Sequence, residues 1–266
     1  MDKILIGISI LEPSHKFYKS YIDFQKQLLT VEKRPFKVGE HWAHRVPIHL
    51  AQQDHAEKAV ATKCTHLLLI DDDIYDFKYM DLFRLYNANK DVIAGVMHQS
   101  PWPHNLCIYR RLKGDKRLRE HAEFDKSPYP LMAIPERERV GVQQVELMPF
   151  GFALIKTEIF KDMPKPWFGT GKDKFTDSWF ADVVLEAGKQ YYAHFDVWLN
   201  HRGITRANTK AWHDLGMANG EHLKCYQVDM EKKDKDEYAR EFKDRMVKAS
   251  QEFEKRREKE IEETFI

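Results

Sequence analysis

Several common classes of protein are excluded by what this sequence lacks. Cysteine is scarce: Cys64, Cys107 and Cys225 are the 3 in the chain, far apart and without CxxC spacing. That argues against a disulfide framework and a thiolate zinc site, and leaves them as small buried or half-buried thiols. No window approaches the roughly 20 apolar residues that a membrane span needs. Charge of one sign is not in excess, with 43 Lys and Arg against 42 Asp and Glu, a net of +1. No global field therefore recruits nucleic acid or acidic lipid, and any basic patch is local. Glycine-rich phosphate loops of the GxGxxG or GxxxxGK[ST] type are absent, which argues against a dehydrogenase or a P-loop ATPase. The opening Met1-Asp2-Lys3-Ile4 runs straight into an apolar strand without a basic leader or small-residue cleavage site, so a cytoplasmic protein is expected.

What is present is a chain with 42% hydrophobic residues, enough to bury a sizeable core as one large domain, with or without an appendage. Lys3 to Ile10 reads as a strand. The polar stretch Glu12-Pro13-Ser14 breaks it before a helix carrying Phe17, Tyr21, Phe24 and Leu28 at helical spacing. Residues 31–40 are expected as a less regular strand and loop, and His49 to Ala61 as a second amphipathic helix. Lys78 to Asn87 is expected to be helical with Met80, Leu82, Phe83 and Tyr86 inward, and Asp91 to Met97 a buried strand. Strands alternating with helices imply right-handed crossovers and a mostly parallel sheet.

From about Ser100 to Arg139 the character changes, with Pro101, Pro103, Pro128, Pro130 and Pro135 among many basic residues. This is an insertion, either a solvated charged loop or a lid facing an acceptor. Strands return at Val142 to Met148 and Phe150 to Ile155. A helix capped by Thr176 or Asp177 runs to Ala187 and stops at Gly188, and Tyr191 to Leu199 is a last strand. The charged tail from Val228 to Ile266 carries Tyr238, Phe242, Met246, Ala249, Phe253, Ile261 and Phe265 as a narrow apolar stripe. One long helix results, whose stripe packs on the parent domain or on a sister tail.

The stretch on which the rest is organised is Thr65-His66-Leu67-Leu68-Leu69-Ile70-Asp71-Asp72-Asp73. A continuous apolar run of this length reads as a strand buried on both faces. Its carboxylates then lie at a strand carboxyl end, where open α/β sheets bind ligands. Three adjacent carboxylates repel one another, and a hard cation on Asp71 and Asp73 relieves that repulsion. The competing reading is an acidic turn or a helix N-cap before Ile74-Tyr75.

In order along the chain, this Asp-terminated strand, Gly151 within Phe150 to Ile155, Pro166-Trp167-Phe168, Thr176-Asp177-Ser178-Trp179-Phe180 with Glu186-Ala187-Gly188 after it, and Asn200-His201-Arg202-Gly203 resemble the GT-A glycosyltransferases. The likeness is to the short family 2-like members of bacteria and phages, and it covers roughly residues 3–205. It implies a GT-A-like catalytic domain over 1–205 and a helical extension over 206–266. By that resemblance Asp71, Asp73 and His201 hold Mn2+ or Mg2+. Asp72, Gln53, Asp54 and Gly151 contact the nucleotide-sugar donor, a UDP-sugar, and Asp177 is the base of an inverting transfer. Trp167 and Trp179 offer flat faces to a sugar ring. The chain departs from the family pattern at Gln53-Asp54, where many relatives carry Arg-Asn, and at Thr176, where a Glu is usual.

The implied activity is metal-dependent transfer of a sugar to a hydroxyl acceptor: a glycan, a protein or a modified nucleic-acid base. Homo-oligomerisation, if it occurs, would run through the tail helix. The alternatives are a metal-dependent nucleotidyltransferase and a non-catalytic sugar- or nucleotide-binding scaffold.

Overall fold

The computed structural model describes residues 1–97, 108–111, 131–133, 139–171 and 175–201. The charged tail, the expected boundary at 205/206 and most of the proline-rich insertion lie outside the described residues. The elements in chain order are β1 (Asp2–Ile10), α1 (His15–Thr30), β2 (Phe36–His44), α2 (Ile48–Ala61), β3 (His66–Asp71), β4 (Ile74–Tyr75), α3 (Tyr79–Ala88), β5 (Val92–Val96), β6 (Tyr109–Arg111), β7 (Leu131–Ala133), β8 (Val142–Val145), β9 (Phe152–Lys156), α4 (Thr176–Glu186), β10 (Tyr191–Trp198) and β11 (Asn200–His201).

A seven-stranded sheet in the order β2-β1-β3-β9-β5-β10-β8 forms the centre. Strands β1, β2, β3, β5 and β10 run in one direction, while β9 and β8 run against them. This is the expected α/β architecture, a mostly parallel sheet with helices on both faces. Alternation explains the layering, because neighbouring residues of a strand face opposite sides. Ile4, Ile6, Ile8, Leu68, Ile70 and Ile93 pack with Phe17, Phe24 and Leu28 of α1 and with Leu82 and Leu85 of α3. Leu5, Leu67, Leu69, Val92 and Ala94 pack with Ala56 and Ala59 of α2 and Phe180, Val183 and Val184 of α4. A strand buried on both faces has no place for polar alternation, which is why β3 and β5 read as continuous apolar runs.

Helix α1 begins where Ser14 accepts the Phe17 amide at 3.1 Å, the side-chain cap its sequence calls for. Three expectations shift. The second strand spans Phe36–His44 rather than the earlier stretch. Met80 of α3 faces solvent, and Tyr79 and Leu85 take the inward positions with Leu82. Helix α4 has Phe175 as its N-cap with no side-chain cap bond, so Asp177 lies inside the first turn and caps nothing. The antiparallel β9, paired on both edges, had no sequence signal of its direction. Among the described residues no helix is long and apolar enough to cross a membrane.

A carboxylate cluster at the carboxyl end of the sheet

Strand β3 delivers Asp71 to the sheet edge, and the chain turns through Asp72 and Asp73 into β4. Since α3 starts only at Tyr79, with Asp81 receiving the Lys78 amide at 3.0 Å, the three acids do not cap a helix. Strand β4 pairs with β11, setting His201 opposite Ile74. This short ladder brings residues 128 apart in sequence together: His201 Nε2 lies 3.0 Å from Asp73 Oδ2. With Nε2 donating to that carboxylate, His201 Nδ1 is left buried and unpartnered.

Asp71 is fixed through its backbone, whose amide donates to the Gly151 carbonyl at 3.1 Å. Its Oδ1 is buried without a hydrogen-bond partner. Burial pushes its carboxyl well above the usual carboxylate range, and the charges of Asp73, Asp177 and Asp72 push it further in that order. Asp177, presented by the first turn of α4, is raised to about 7, chiefly by burial. The Phe150 backbone amide opposes the shift, and Asp73 adds to it. Four carboxylates from β3, the turn after it and α4 thus face one another's fields.

The N-terminal turns of α2 border the same region, because α2 comes after β2 at the carboxyl end of the sheet. Gln52 is buried, and its Oε1 accepts from Thr176 Oγ1 at 2.7 Å, which ties α2 to the residue before Asp177. Gln52 Nε2 and His49 Nδ1 are buried without partners, as is Asn200 Oδ1. The buried unpartnered side-chain atoms among the described residues therefore belong to His49, Gln52, Asp71, Asn200 and His201, all on elements that meet at this end. An unmet buried polar atom costs about 1–3 kcal/mol. These five, on α2, β3 and β11, are polar groups the fold itself leaves unmet.

The other residues that the sequence singled out are held mainly by the protein itself. Asp72 Oδ2 accepts the amides of Leu11 and Glu12 at 2.6 and 2.7 Å, so it fastens the loop after β1 over the cluster. Gln53 Oε1 accepts the amides of Trp167 and Phe168 at 2.9 and 3.1 Å, and its Nε2 donates to Glu57. Both ends of that amide serve the fold. Asp54 faces His41, with 3.6 Å between the carboxylate and Nε2. At Gly151 a Cβ would meet Ile74 Cγ1 at 2.7 Å and Met97 Cε at 2.9 Å, so that space is filled by protein and is closed to a ligand. Trp167 is 4% exposed, and its indole donates to the Met163 carbonyl and packs on Phe160. It is a core residue with no face for a sugar. Trp179 is half-buried beside Gly169, where a Cβ would meet its ring at 2.8 Å, and it donates to the Pro166 carbonyl.

Sequence reasoning missed Gln52, His49 and Asn200. Gln52 and His49 stand one helical turn apart on α2, and the polar residue type at an inward position was the signal.

The donor set suits a hard divalent cation: carboxylate oxygens from Asp71 and Asp73 and an imidazole nitrogen from His201. Among the described residues no three such side chains are already drawn together as a finished metal site. The orphaned Asp71 oxygen and the mutual repulsion of the acids are the features a cation would relieve.

No protein-family model matches the chain, and no curated protein matches it in sequence. Among solved structures the chain is similar to A197 from STIV, at 15% identity and a TM-score of 0.43, covering 76% of this chain and 95% of that one. It is also similar to CMP:2-keto-3-deoxy-manno-octonic acid synthetase complexed with CTP, at 10% identity and a TM-score of 0.42, covering 83% and 100%. A third likeness is to GalNAc-T7 with UDP, GalNAc and Mn2+, at 10% identity and a TM-score of 0.46, covering 76% of this chain and 43% of that one.

Proposed function

We propose that the chain is a divalent-cation-dependent glycosyltransferase that moves a sugar from a nucleotide-diphosphate donor, a UDP-sugar, to a hydroxyl acceptor with inversion. The observation that carries the reading is the 3.0 Å approach of His201 to Asp73 at the end of β3, with a buried Asp71 oxygen left without a partner and the carboxyl of Asp177, raised to about 7 chiefly by burial, within the field of Asp73. A base is most effective when its pKa lies near the working pH. Asp177 is in that range and sits on a rigid helix turn.

Asp71, Asp73 and His201 would hold Mn2+ or Mg2+, which supplies charge neutralisation to a leaving diphosphate. Asp72 keeps the loop after β1 closed against the cluster. Asp177 takes the acceptor hydroxyl proton as the new oxygen–carbon bond forms at the anomeric carbon. The bond to the diphosphate oxygen breaks on the opposite side, and the leaving group departs with its electron pair. Trp179, half-buried on α4 two residues after Asp177, would offer an indole edge to the sugar or acceptor.

Isothermal titration of the purified chain with UDP, GDP, CDP and their sugars, each with Mn2+ and with EDTA, tests this. Binding of one nucleotide that requires the cation, together with loss of transfer but not of binding in Asp177→Asn, is the expected result. A folded protein that binds no nucleotide diphosphate contradicts it. Release of pyrophosphate from a nucleoside triphosphate would instead establish nucleotidyl transfer.

A further inference from the structure

On the opposite face of the sheet from α2 and α4, helix α1 carries two apolar faces, although a helix packed on one sheet needs only one. Phe17, Tyr21, Phe24 and Leu28 form the face buried against the sheet. Tyr18, Ile22 and Leu29 are 44%, 53% and 77% exposed. At about 100° per residue these three fall within an arc of about 40°, turned about 110° from the centre of the buried face. Apolar side chains scattered singly over a surface need no explanation, but a line of them along one helix does.

The two flanks of α1 are not alike. On one, Ser20 Oγ accepts the Asp76 amide at 2.7 Å and Gln27 Oε1 accepts the Tyr79 amide at 3.0 Å, so the chain after β4 and the start of α3 occupy it. The exposed line is on the other flank, and the contacts there lead to β2. Tyr21 meets the Trp42 ring edge-on with centroids 5.0 Å apart, and Gln25 donates to the Tyr21 hydroxyl at 2.7 Å. Strand β2 is an edge of the seven-stranded sheet, and Val38 and Trp42, which pack on the core beneath α1, are only half-buried. The free flank of α1 and this part of β2 thus make an exposed apolar ledge.

We propose that this ledge is the docking surface for the chain's own carboxyl-terminal segment, residues 238–253, laid along α1 as an amphipathic helix. Residues 202–266 lie outside the described residues, so the assignment rests on where the chain leaves the described fold and on the pattern it carries. It leaves at His201, which pairs with Ile74 of β4, and Lys16 of α1 reaches over the neighbouring Tyr75 with Nζ 5.1 Å from the ring centre. The tail therefore starts beside α1. From there residues 202–237 can reach about 120 Å at about 3.3 Å per residue, whereas crossing a helix takes about 10 Å.

Tyr238, Phe242, Met246, Ala249 and Phe253 fall within about 80° of arc at helical spacing, a line about 22 Å long against about 17 Å from Tyr18 to Leu29. A stripe that narrow fills one ledge and leaves nothing for a second. Tethering decides between this chain's tail and a sister's, because an attached segment meets its site at an effective concentration on the order of 1 mM, well above that of a second copy in dilute solution. The tail stripe is bordered by Glu241, Arg245, Lys248 and Glu252, charges of both signs, so the contact is apolar at its centre with a mixed polar rim. No cation, donor or acceptor takes part, which keeps the outcome separate from sugar transfer.

The test is hydrogen–deuterium exchange of the full chain read by mass spectrometry, with the mass in solution taken from light scattering. Residues 238–253 should exchange at least about tenfold more slowly than in the urea-unfolded chain, in a species of one-chain mass, and dilution should leave that rate unchanged. Ile22→Glu combined with Leu29→Glu, both at exposed positions, should return the segment to the unfolded rate. Phe242→Glu combined with Met246→Glu should do the same. Met80→Glu, at an exposed apolar position on α3, should leave the protection as it was. A tail that exchanges at the unfolded rate in the parent overturns the proposal, as does protection that survives either double substitution or is lost equally in Met80→Glu. Protection that disappears on dilution, or that belongs to a species of two-chain mass, assigns the ledge to a second copy and overturns it as well.

Discussion

At the amino-terminal end of β3 a cavity of about 430 Å3 is lined by Lys63, Cys64, His66, Lys156, Glu158 and Lys161 among others, while the carboxyl end of the same strand carries Asp71 and its neighbours. The polar groups of this cavity are provided for. Thr157 Oγ1 donates to the Cys64 carbonyl, and Thr65 Oγ1 accepts the Lys3 amide at 3.0 Å and donates to its carbonyl at 2.9 Å. None of the buried unpartnered side-chain atoms among the described residues belongs to it. The carboxyl end has the reverse character, with carboxylates that raise one another's affinity for protons and buried atoms left unbonded. Unmet electrostatic demand is the ground on which the proposed site is placed at the carboxyl end, since structural regions satisfy their polar groups and sites keep some in reserve.

The largest expected effect comes from neutralising that demand. Below about pH 3 the Asp177 carboxyl is protonated in both folded and unfolded chains and costs nothing. As pH rises, the unfolded carboxyl ionises first, and stability falls until the folded group ionises at about 7. Asp177→Asn should therefore be more stable than the parent by up to about 4 kcal/mol at pH 8, and nearly equal to it below about pH 3. Urea denaturation at the two pH values measures this; a variant equally destabilised at both would place Asp177 in an ordinary structural role.

A smaller effect separates packing from binding at the same end. Gly151→Ala forces a methyl against Ile74 and Met97, which should cost about 1–3 kcal/mol in thermal or urea unfolding. Unchanged stability would mean that the space is open to a ligand after all. The smallest effect belongs to the opposite end: Lys161→Ala should change stability by less than about 0.5 kcal/mol. It should also leave nucleotide titration unaltered, and weakened nucleotide binding there would reverse the contrast between the two ends.

The acids were legible in sequence because a strand buried on both faces advertises itself as an unbroken apolar run, and the residues just beyond such a run must lie at a sheet end. His201 was reached through a resemblance of ordered motifs. Its 3.0 Å approach to Asp73 depends on the β4–β11 ladder, two residues per strand, which is too short to leave a pattern in sequence. Gln53 and Gly151 were reached through the same resemblance and Trp167 through its flat ring, and the structure uses all three within the fold. Residue type does not distinguish an amide that clamps two backbone amides, as Gln53 does, from one that meets a ligand. The direction of β9 was illegible for a similar reason, since an apolar strand reads the same whichever way it runs. Helix α3 turned by about one position because buried Asp81, an unusual inward acid, caps its first turn and bonds Arg84 at 3.3 Å.

The central claim is that the carboxyl end of the sheet is a cation site assembled from Asp71, Asp73 and His201. The most direct test is thermal unfolding at neutral pH with and without Mn2+, compared between the parent chain and Asp73→Ala. A ligand at one hundred times its dissociation constant stabilises the folded state by about 2.7 kcal/mol. The account predicts a rise in the parent's melting temperature on adding Mn2+ that EDTA reverses, and no such rise in Asp73→Ala. An equal response to Mn2+ in both chains, or none in the parent at any concentration short of precipitation, would contradict it.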